Sequence, residues 1–211
     1  MFHDRVDAGK KLASLLAKYK GKDCVVLAIP RGGVVIADEI CKVTGFRLGL
    51  LINKKISAPY EEEMAIGSVA EDGTAVFDER VISEMRIQED YIEKEKEEKM
   101  KEIRRRSRVY MEDRLEKNVE GRIAIIVDDG VATGLSMLCA IRYIMKKKPA
   151  KVVVAVAVAP KDSVEELKKE ADDVIVIETP ETLYAIGEYY DNFEQLEDDQ
   201  VVKILNNYVR K

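Results

Sequence analysis

Apolar residues follow two rhythms along the chain: one spaces them three or four apart, and the other strings them together without a break. The helical rhythm comes first. Leu12, Leu15, Leu16 and Tyr19 recur between residues 6 and 20, and Gly21 stands where a left-handed cap would end the turn. Unbroken runs then take over. DCVVLAI (23–29) predicts a buried strand, PRGG interrupts it, and VVIADEICKVTG predicts a helix stopped by Gly45. FRLGLLI predicts a second buried strand that delivers Asn53, Lys54 and Lys55 at its C-terminal end. IGSVA and TAVFDERVI flank Glu71, Asp72 and Gly73, which predicts a hairpin.

Residues 83–116 predict one long charged helix with little to bury, projecting into solvent or lying along one edge. Glu95 and Lys99, Glu97 and Lys101, and Glu102 and Arg106 stand at i,i+4 pairing distance within it. RIAIIV (122–127), KVVVAVAV (151–158) and DDVIVIE (172–178) predict further strands. MLCAIRYIMKK and SVEELKKEA predict the helices between them, the second announced by a capping box of Ser163 with Glu166. Continuously apolar strands alternating with helices imply an α/β fold, a parallel sheet covered by helices on both faces. Residues 1–211 read as one domain, with a hairpin and long-helix insertion over about 57–116.

Composition narrows the partners. Hydrophobic residues make up 46% of the 211, enough for a core, and 35 basic against 40 acidic residues leave a net charge of -5. That balance argues against nucleic acid or an anionic membrane as partner, so any polyanion must be held locally. The apolar run from Val152 to Ala159 is far shorter than the roughly 20 residues that span a bilayer. The first residues lack a secretory pattern, and a cytoplasmic setting is expected. Cys24, Cys41 and Cys139 are isolated and read as buried thiols. The one histidine, His3, lies beside a chain end expected to be mobile, which leaves little from which to build a histidine-activated nucleophile.

The candidate chemistry sits in two loops, because ligands of parallel α/β sheets settle beyond the carboxyl ends of the strands. In DDGVATGLS, Gly130 and Gly134 permit close backbone approach, Thr133 and Ser136 supply hydroxyls, and the following helix offers free N–H groups to a phosphate. Leu135 stands where a Walker loop needs lysine, which excludes that motif. Pro30, Arg31, Gly32 and Gly33 form a second junction whose amides can make an anion nest, and Lys54 and Lys55 add positive charge to the same rim. Taken singly, these are also an ordinary helix cap, a tight turn and surface lysines. Together they suggest a ligand with phosphate at both ends. Asp128 and Asp129, lying between, can then accept hydrogen bonds from the vicinal hydroxyls of a sugar.

IAIIVDDGVATGLSM resembles the signature of the type I phosphoribosyltransferases, in which strand, acidic pair and Thr-Gly turn bind 5-phosphoribosyl 1-pyrophosphate (PRPP). By the same resemblance AIPRGG corresponds to the pyrophosphate loop, often held in an unusual backbone conformation, and Lys54 to the basic residue that contacts pyrophosphate. FHDRVDAGKKLASLL, LAIPRGGVVIADEI, INKKISAPYEEEMAIGSVAEDG, RRRSRVYM and LYAIGEYYDNFEQLEDDQVV are similar, in that order, to an uncharacterised phosphoribosyltransferase-like family of bacteria and archaea.

The resemblance implies a transfer of phosphoribose from PRPP, with Mg²⁺, to a nitrogen acceptor such as a nucleobase. It assigns Gly130, Val131, Ala132, Thr133, Gly134, Leu135 and Ser136 to the 5-phosphate and Asp128 and Asp129 to the ribose hydroxyls. Arg31, Gly32, Gly33 and Lys54 go to the pyrophosphate, with Lys55 beside them, and Mg²⁺ is held mainly by the donor itself. Asp128, Asp129 and Lys54 are the residues expected to serve catalysis. Ala132 stands where 6-oxopurine enzymes place an acid, which disfavours hypoxanthine and guanine. A small hood over about 177–190 would meet the acceptor, with Tyr184 either stacking on it or packed in the interior.

SAPYEEEMAIGSVAEDG occupies the position of the family's closing loop but is acidic, without a catalytic pair. Arg104, Arg105, Arg106 and Arg108 read as a solvated helical face, or as reaching the pyrophosphate or a second subunit of a homo-oligomer. A non-catalytic sensor of PRPP or a nucleotide is the competing function. A DNA-bound regulator is opposed by the net charge and by the want of a helix-turn-helix segment.

Overall fold

In a computed structural model that describes residues 1–209, the chain forms, in order, α1 (Arg5–Leu15), β1 (Cys24–Ala28), α2 (Gly32–Thr44), β2 (Arg47–Leu50), β3 (Asn53–Ala58), β4 (Glu61–Ala70) and β5 (Ala75–Phe77). It continues through α3 (Glu79–Glu84), α4 (Glu89–Val109), β6 (Ile123–Asp128), α5 (Leu135–Met145), β7 (Lys151–Val158), α6 (Lys161–Glu170), β8 (Asp173–Glu178) and α7 (Asp198–Leu205). Five strands make a parallel sheet in the order β2-β1-β6-β7-β8, and β3-β4-β5 make a separate antiparallel sheet.

The unbroken apolar runs have a use for every residue, because successive side chains of a strand point to opposite faces. Val26, Ala28, Ile125 and Val127 pack with Leu12 and Leu16 near the end of the first helix and with Ile36 and Ile40 of α2. Their alternates Val25, Leu27, Ala124 and Ile126 pack with Cys139, Ile141 and Ile144 of α5 and Leu167 of α6. Two cores therefore share one sheet, as a doubly covered parallel sheet requires. Gly21 and Gly45 adopt the left-handed φ expected of them, +82° and +74°.

Four expectations are corrected. Lys54 and Lys55 do not end the second parallel strand: β2 stops at Leu50 and they stand in β3, opposite Val69 and Ser68 of β4. The DERVI part of the expected strand is helical, because the Asp78 side chain accepts hydrogen bonds from the backbone of Arg80 and Val81 and so caps α3. The charged helix is not one piece over 83–116. Arg86 takes a left-handed φ of +52°, α4 begins only at Glu89, and Tyr110 closes it. The capping box at Ser163 is absent because Pro160 occupies the cap and places Ser163 inside the first turn of α6.

The chain end is tied down as well. Phe2 is buried and paired with Tyr190, its N–H donating to the Tyr189 carbonyl at 2.7 Å, while His3 beside it is exposed. The long charged helix does not project freely. It lies along β3 and β4 with Ile103 buried.

Candidate functional site

β1 and β6 lie side by side at the centre of the parallel sheet, Ala28 opposite Val127, so their following loops leave at the same level. The strand order runs outward in opposite directions from this pair, which opens a crevice at their carboxyl ends. The crevice wall is unusually close. Ile29 N–H donates to the Val127 carbonyl at 3.0 Å, the Pro30–Arg31 peptide is cis, and α2 starts at once with Gly32. A Cβ on Gly33 would stand 2.6 Å from the Val127 oxygen, and one on Gly32 would stand 1.8 Å from Asp129 Oδ2. The two glycines are needed because the helix start presses against the acidic pair.

The two acids diverge. Asp128 faces a cavity of about 500 Å³ that it shares with Lys55, Gly130, Val131, Ala132, Thr133, Gly134, Ser136, Tyr184 and Ile186. Its Oδ1 accepts the Asp129 N–H at 2.8 Å. Burial, and after it the neighbouring Asp129 charge, push the Asp128 carboxyl well above the ordinary aspartate value of 3.8. Asp129 instead turns away from that cavity, its Oδ2 accepting a hydrogen bond from Arg5 Nε at 2.7 Å in a pair whose side chains are 11% and 12% exposed. The Arg5 guanidinium lies 3.8 Å from the centre of the Phe193 ring and donates to the Glu194 carbonyl at 2.9 Å. Tyr190 donates its hydroxyl to the Asp129 carbonyl at 2.6 Å.

Arg5, Tyr190 and Phe193 thus join α1, the end of β6 and the C-terminal segment through Asp129. No local signal marks them, since Arg5 is 124 residues and Tyr190 61 residues from their partner.

The loop after Asp129 is fixed from several sides. Val131 N–H donates to the Val158 carbonyl at 2.8 Å, Ser163 Oγ to the Ala132 carbonyl at 2.7 Å, and Asn53 Nδ2 to the Ser136 carbonyl at 2.6 Å. A Cβ on Gly130 would meet Ile186 Cγ2 at 2.6 Å, and Gly134 has φ +82° just before α5. Val131 and Leu135 are buried in the core on the α5 face, so their side chains anchor the loop. Thr133 is exposed, and the first N–H groups of α5 have no partner within their own helix. Ser163, rather than capping its own helix, braces this loop.

Lys55 lines a second cavity too, of about 1100 Å³, with Arg31, Lys54, Ser57, Ala58, Tyr60, Tyr91, Glu95 and Lys99. Lys54 Nζ is 2.5 Å from Glu102 of α4, and Arg31 is 3.4 Å from Glu197. Burial holds the Lys54 ammonium below the ordinary lysine value, with Arg106 and Lys99 adding to the effect and Glu102 opposing it. Arg106 of the arginine cluster stands 3.9 Å from Glu102, while Arg104 and Arg108 line a separate surface depression with Glu71 and Asp72. SAPYEEEMAIGSVAEDG supplies the end of β3, the turn at Tyr60 and β4, and its Ser57, Ala58 and Tyr60 line this cavity. Tyr184 is 85% exposed at the rim of the first cavity and is not a packed aromatic.

The family model for the phosphoribosyl transferase domain matches residues 3–192. Rv0571c of Mycobacterium tuberculosis H37Rv, a protein named provisionally as a phosphoribosyl transferase, is 37% identical over 206 residues, which cover 98% of this chain and 46% of the relative. MT0597 of M. tuberculosis CDC 1551, named in the same way, matches to the same extent. The chain therefore spans about half the length of the curated relatives it matches. The crystal structure of TT1426 from Thermus thermophilus superposes with a TM-score of 0.82 and 37% identity, over 99% of both chains. AQ2163 of Aquifex aeolicus shares the fold at 18% identity, with a TM-score of 0.53 over 87% of this chain and 78% of its own.

Proposed function

The chain belongs to the phosphoribosyl transferase domain family, with the type I fold, and from that premise we propose that it transfers phosphoribose from PRPP to a nitrogen acceptor. The observation that carries this reading is the placement of Asp128, the Gly130–Gly134 turn and Lys55 around one cavity, with Lys55 also lining the cationic cavity next to it. A ligand with a single phosphate at one end and a diphosphate at the other fits that pair of spaces. The turn takes the 5-phosphate on backbone N–H groups, Asp128 accepts from the ribose diol, and Arg31 and Lys54 meet the diphosphate.

In the reaction the bond from ribose C1 to the diphosphate oxygen breaks and a bond from the acceptor nitrogen to C1 forms. Pyrophosphate departs with the bonding electrons, and the acceptor gives up its N–H proton. The protein's contribution is positioning and charge stabilisation. Asp129, committed to Arg5, acts by holding Asp128 and the start of α2 in place rather than by touching the sugar.

Among the described residues no three His, Cys, Asp or Glu side chains gather to hold a metal. A magnesium ion here would take most of its ligands from donor oxygens and water, leaving at most Asp128 to approach it, which suits an ion that keeps several waters. When bound it would neutralise diphosphate charge. Tyr184, exposed at the cavity rim, offers a face for a planar acceptor, and Ala132 offers no acid to a 6-oxopurine. A cytoplasmic setting belongs to the same reading, supported by the three buried, unpaired cysteines. No helix among the described residues is long and apolar enough to cross a membrane.

The test follows pyrophosphate release from PRPP and Mg²⁺ across a panel of bases and other nitrogen nucleophiles. Release that depends on one acceptor is the expected result. Donor binding without release would assign the chain to donor sensing, and neither binding nor release would overturn both readings.

A further inference from the structure

α4 carries a stripe that its overall charge conceals. Tyr91, Glu95, Lys99, Glu102 and Arg106 recur at steps of three and four, which places them on one helical face. That face is turned onto β3: the Tyr91 hydroxyl donates to the Ser57 carbonyl at 3.0 Å and Lys54 reaches Glu102 at 2.5 Å. Between these two contacts stands Lys99, in the wall of the larger cavity and 28% exposed. Its Glu95 partner is held only at 3.9 Å, in contrast to the 2.7 Å between Lys101 and Glu98 one face away.

Among the described residues the charged groups lining this cavity are Arg31, Lys54, Lys55, Lys99 and Glu95, with Glu197 beside Arg31 and Glu102 beside Lys54. The chain as a whole is acidic, with a net charge of -5, so the concentration of cations is local. Arg106 adds to it from the same stripe, its buried Nε lacking a hydrogen-bond partner among the described residues. Burial first lowers the affinity of Lys54 for its proton, the hydrogen bond to Glu102 opposes this, and the nearby charges of Arg106 and Lys99 repel the ammonium and add to the lowering. An anion entering between them would relieve that repulsion. The cavity, at about 1100 Å³, has more than twice the room of the neighbouring 500 Å³ space.

We infer that Lys99 of α4 is a ligand-binding residue that holds the outer phosphate of a diphosphate, making the inserted helix one wall of the diphosphate site. The inference rests on the phosphoribosyl-transfer reading and extends it to a residue outside both strand-end loops. The inner phosphate lies toward Arg31 and Lys54, and the outer one bridges β3 and α4.

Calorimetric titrations of pyrophosphate with Mg²⁺, and separately of ribose 5-phosphate, into the full chain and its Lys99→Gln and Lys99→Arg variants test it. The expected result is at least tenfold weaker pyrophosphate binding in Lys99→Gln, recovery in Lys99→Arg, an unchanged thermal midpoint, and equal ribose 5-phosphate affinity in all three. Pyrophosphate affinity unchanged in Lys99→Gln, or no pyrophosphate binding by the unsubstituted protein, would overturn the inference. Ribose 5-phosphate, bound at the Thr133 turn, reports independently on the phosphoribosyl-transfer reading, which fails if that ligand does not bind.

Discussion

The acidic junction at the end of β6 and the basic wall between β3 and α4 border two neighbouring cavities that Lys55 lines in common, and they are built in opposite ways. At the junction, main chain presses on main chain: Gly33 approaches the Val127 oxygen, Gly32 approaches Asp129, and Arg5 locks the acid with its charge almost out of water. At the basic wall, side chains of β3 and α4 meet across a wide cavity. Stability and ligand affinity should therefore separate between the two. Substitutions that break the junction's close contacts should unsettle the fold, and substitutions at the wall should alter only what binds there.

Arg5→Ala probes the contrast where it is sharpest. Removing one partner of a nearly buried ion pair leaves the other charge stranded, at a cost of roughly 3–5 kcal/mol. For a chain of this size that corresponds to a thermal midpoint lower by roughly 6–20 °C. Thermal unfolding at neutral pH checks this, and a midpoint within a degree or two of the parent would mean the pair contributes little. Gly33→Ala comes next, since its Cβ would sit 2.6 Å from a backbone oxygen that cannot step aside. Overpacking of this kind costs about 1–3 kcal/mol, readable in urea unfolding as a lower midpoint with an unchanged slope.

Asp128→Asn should move stability the other way. The folded carboxyl titrates well above its ordinary value of 3.8, so the folded chain holds that proton over a pH range in which the unfolded chain has released it. Stability is then lost as pH rises from the unfolded value through the folded one, and the loss persists above it. The Asn variant escapes this loss. It should equal the parent near pH 3, exceed it increasingly as the pH approaches neutrality, and yet bind PRPP more weakly. Parallel stability profiles for the two proteins across that range would contradict the assignment. At the small end of the scale, Lys99→Gln should change stability by no more than about 0.5 kcal/mol, as expected of a side chain outside the core. A larger loss would mean the basic wall is structural after all.

The same contrast governs what is legible in the sequence. The parallel sheet is legible because each continuous apolar run serves two cores at once, and the Thr-Gly turn and PRGG are legible because close backbone approach leaves glycines in the sequence. Asp129 is visible as half of a pair, but its partner is not. Arg5 sits beyond any local pattern, and only the folded chain brings it to the strand end. Lys54 reads as the end of a parallel strand, whereas it stands near the start of an antiparallel one and lines the same cavity as Arg31. Ser163 misleads because Ser-x-x-Glu imitates a cap, while Pro160 already sets the helix start. The α4 stripe stays hidden because Glu95–Lys99 and Glu102–Arg106 satisfy the i,i+4 rule whether or not their face meets anything.

Whether one donor lies across both cavities is decided by a crystal structure of the protein with PRPP and Mg²⁺. The expected complex has the 5-phosphate on the Gly130–Ser136 turn, the ribose diol at Asp128 with Arg5 still holding Asp129, and the diphosphate between Arg31, Lys54 and Lys99. Donor density away from the Thr133 turn, or a ribose bound by Asp129 with Asp128 unengaged, would contradict it.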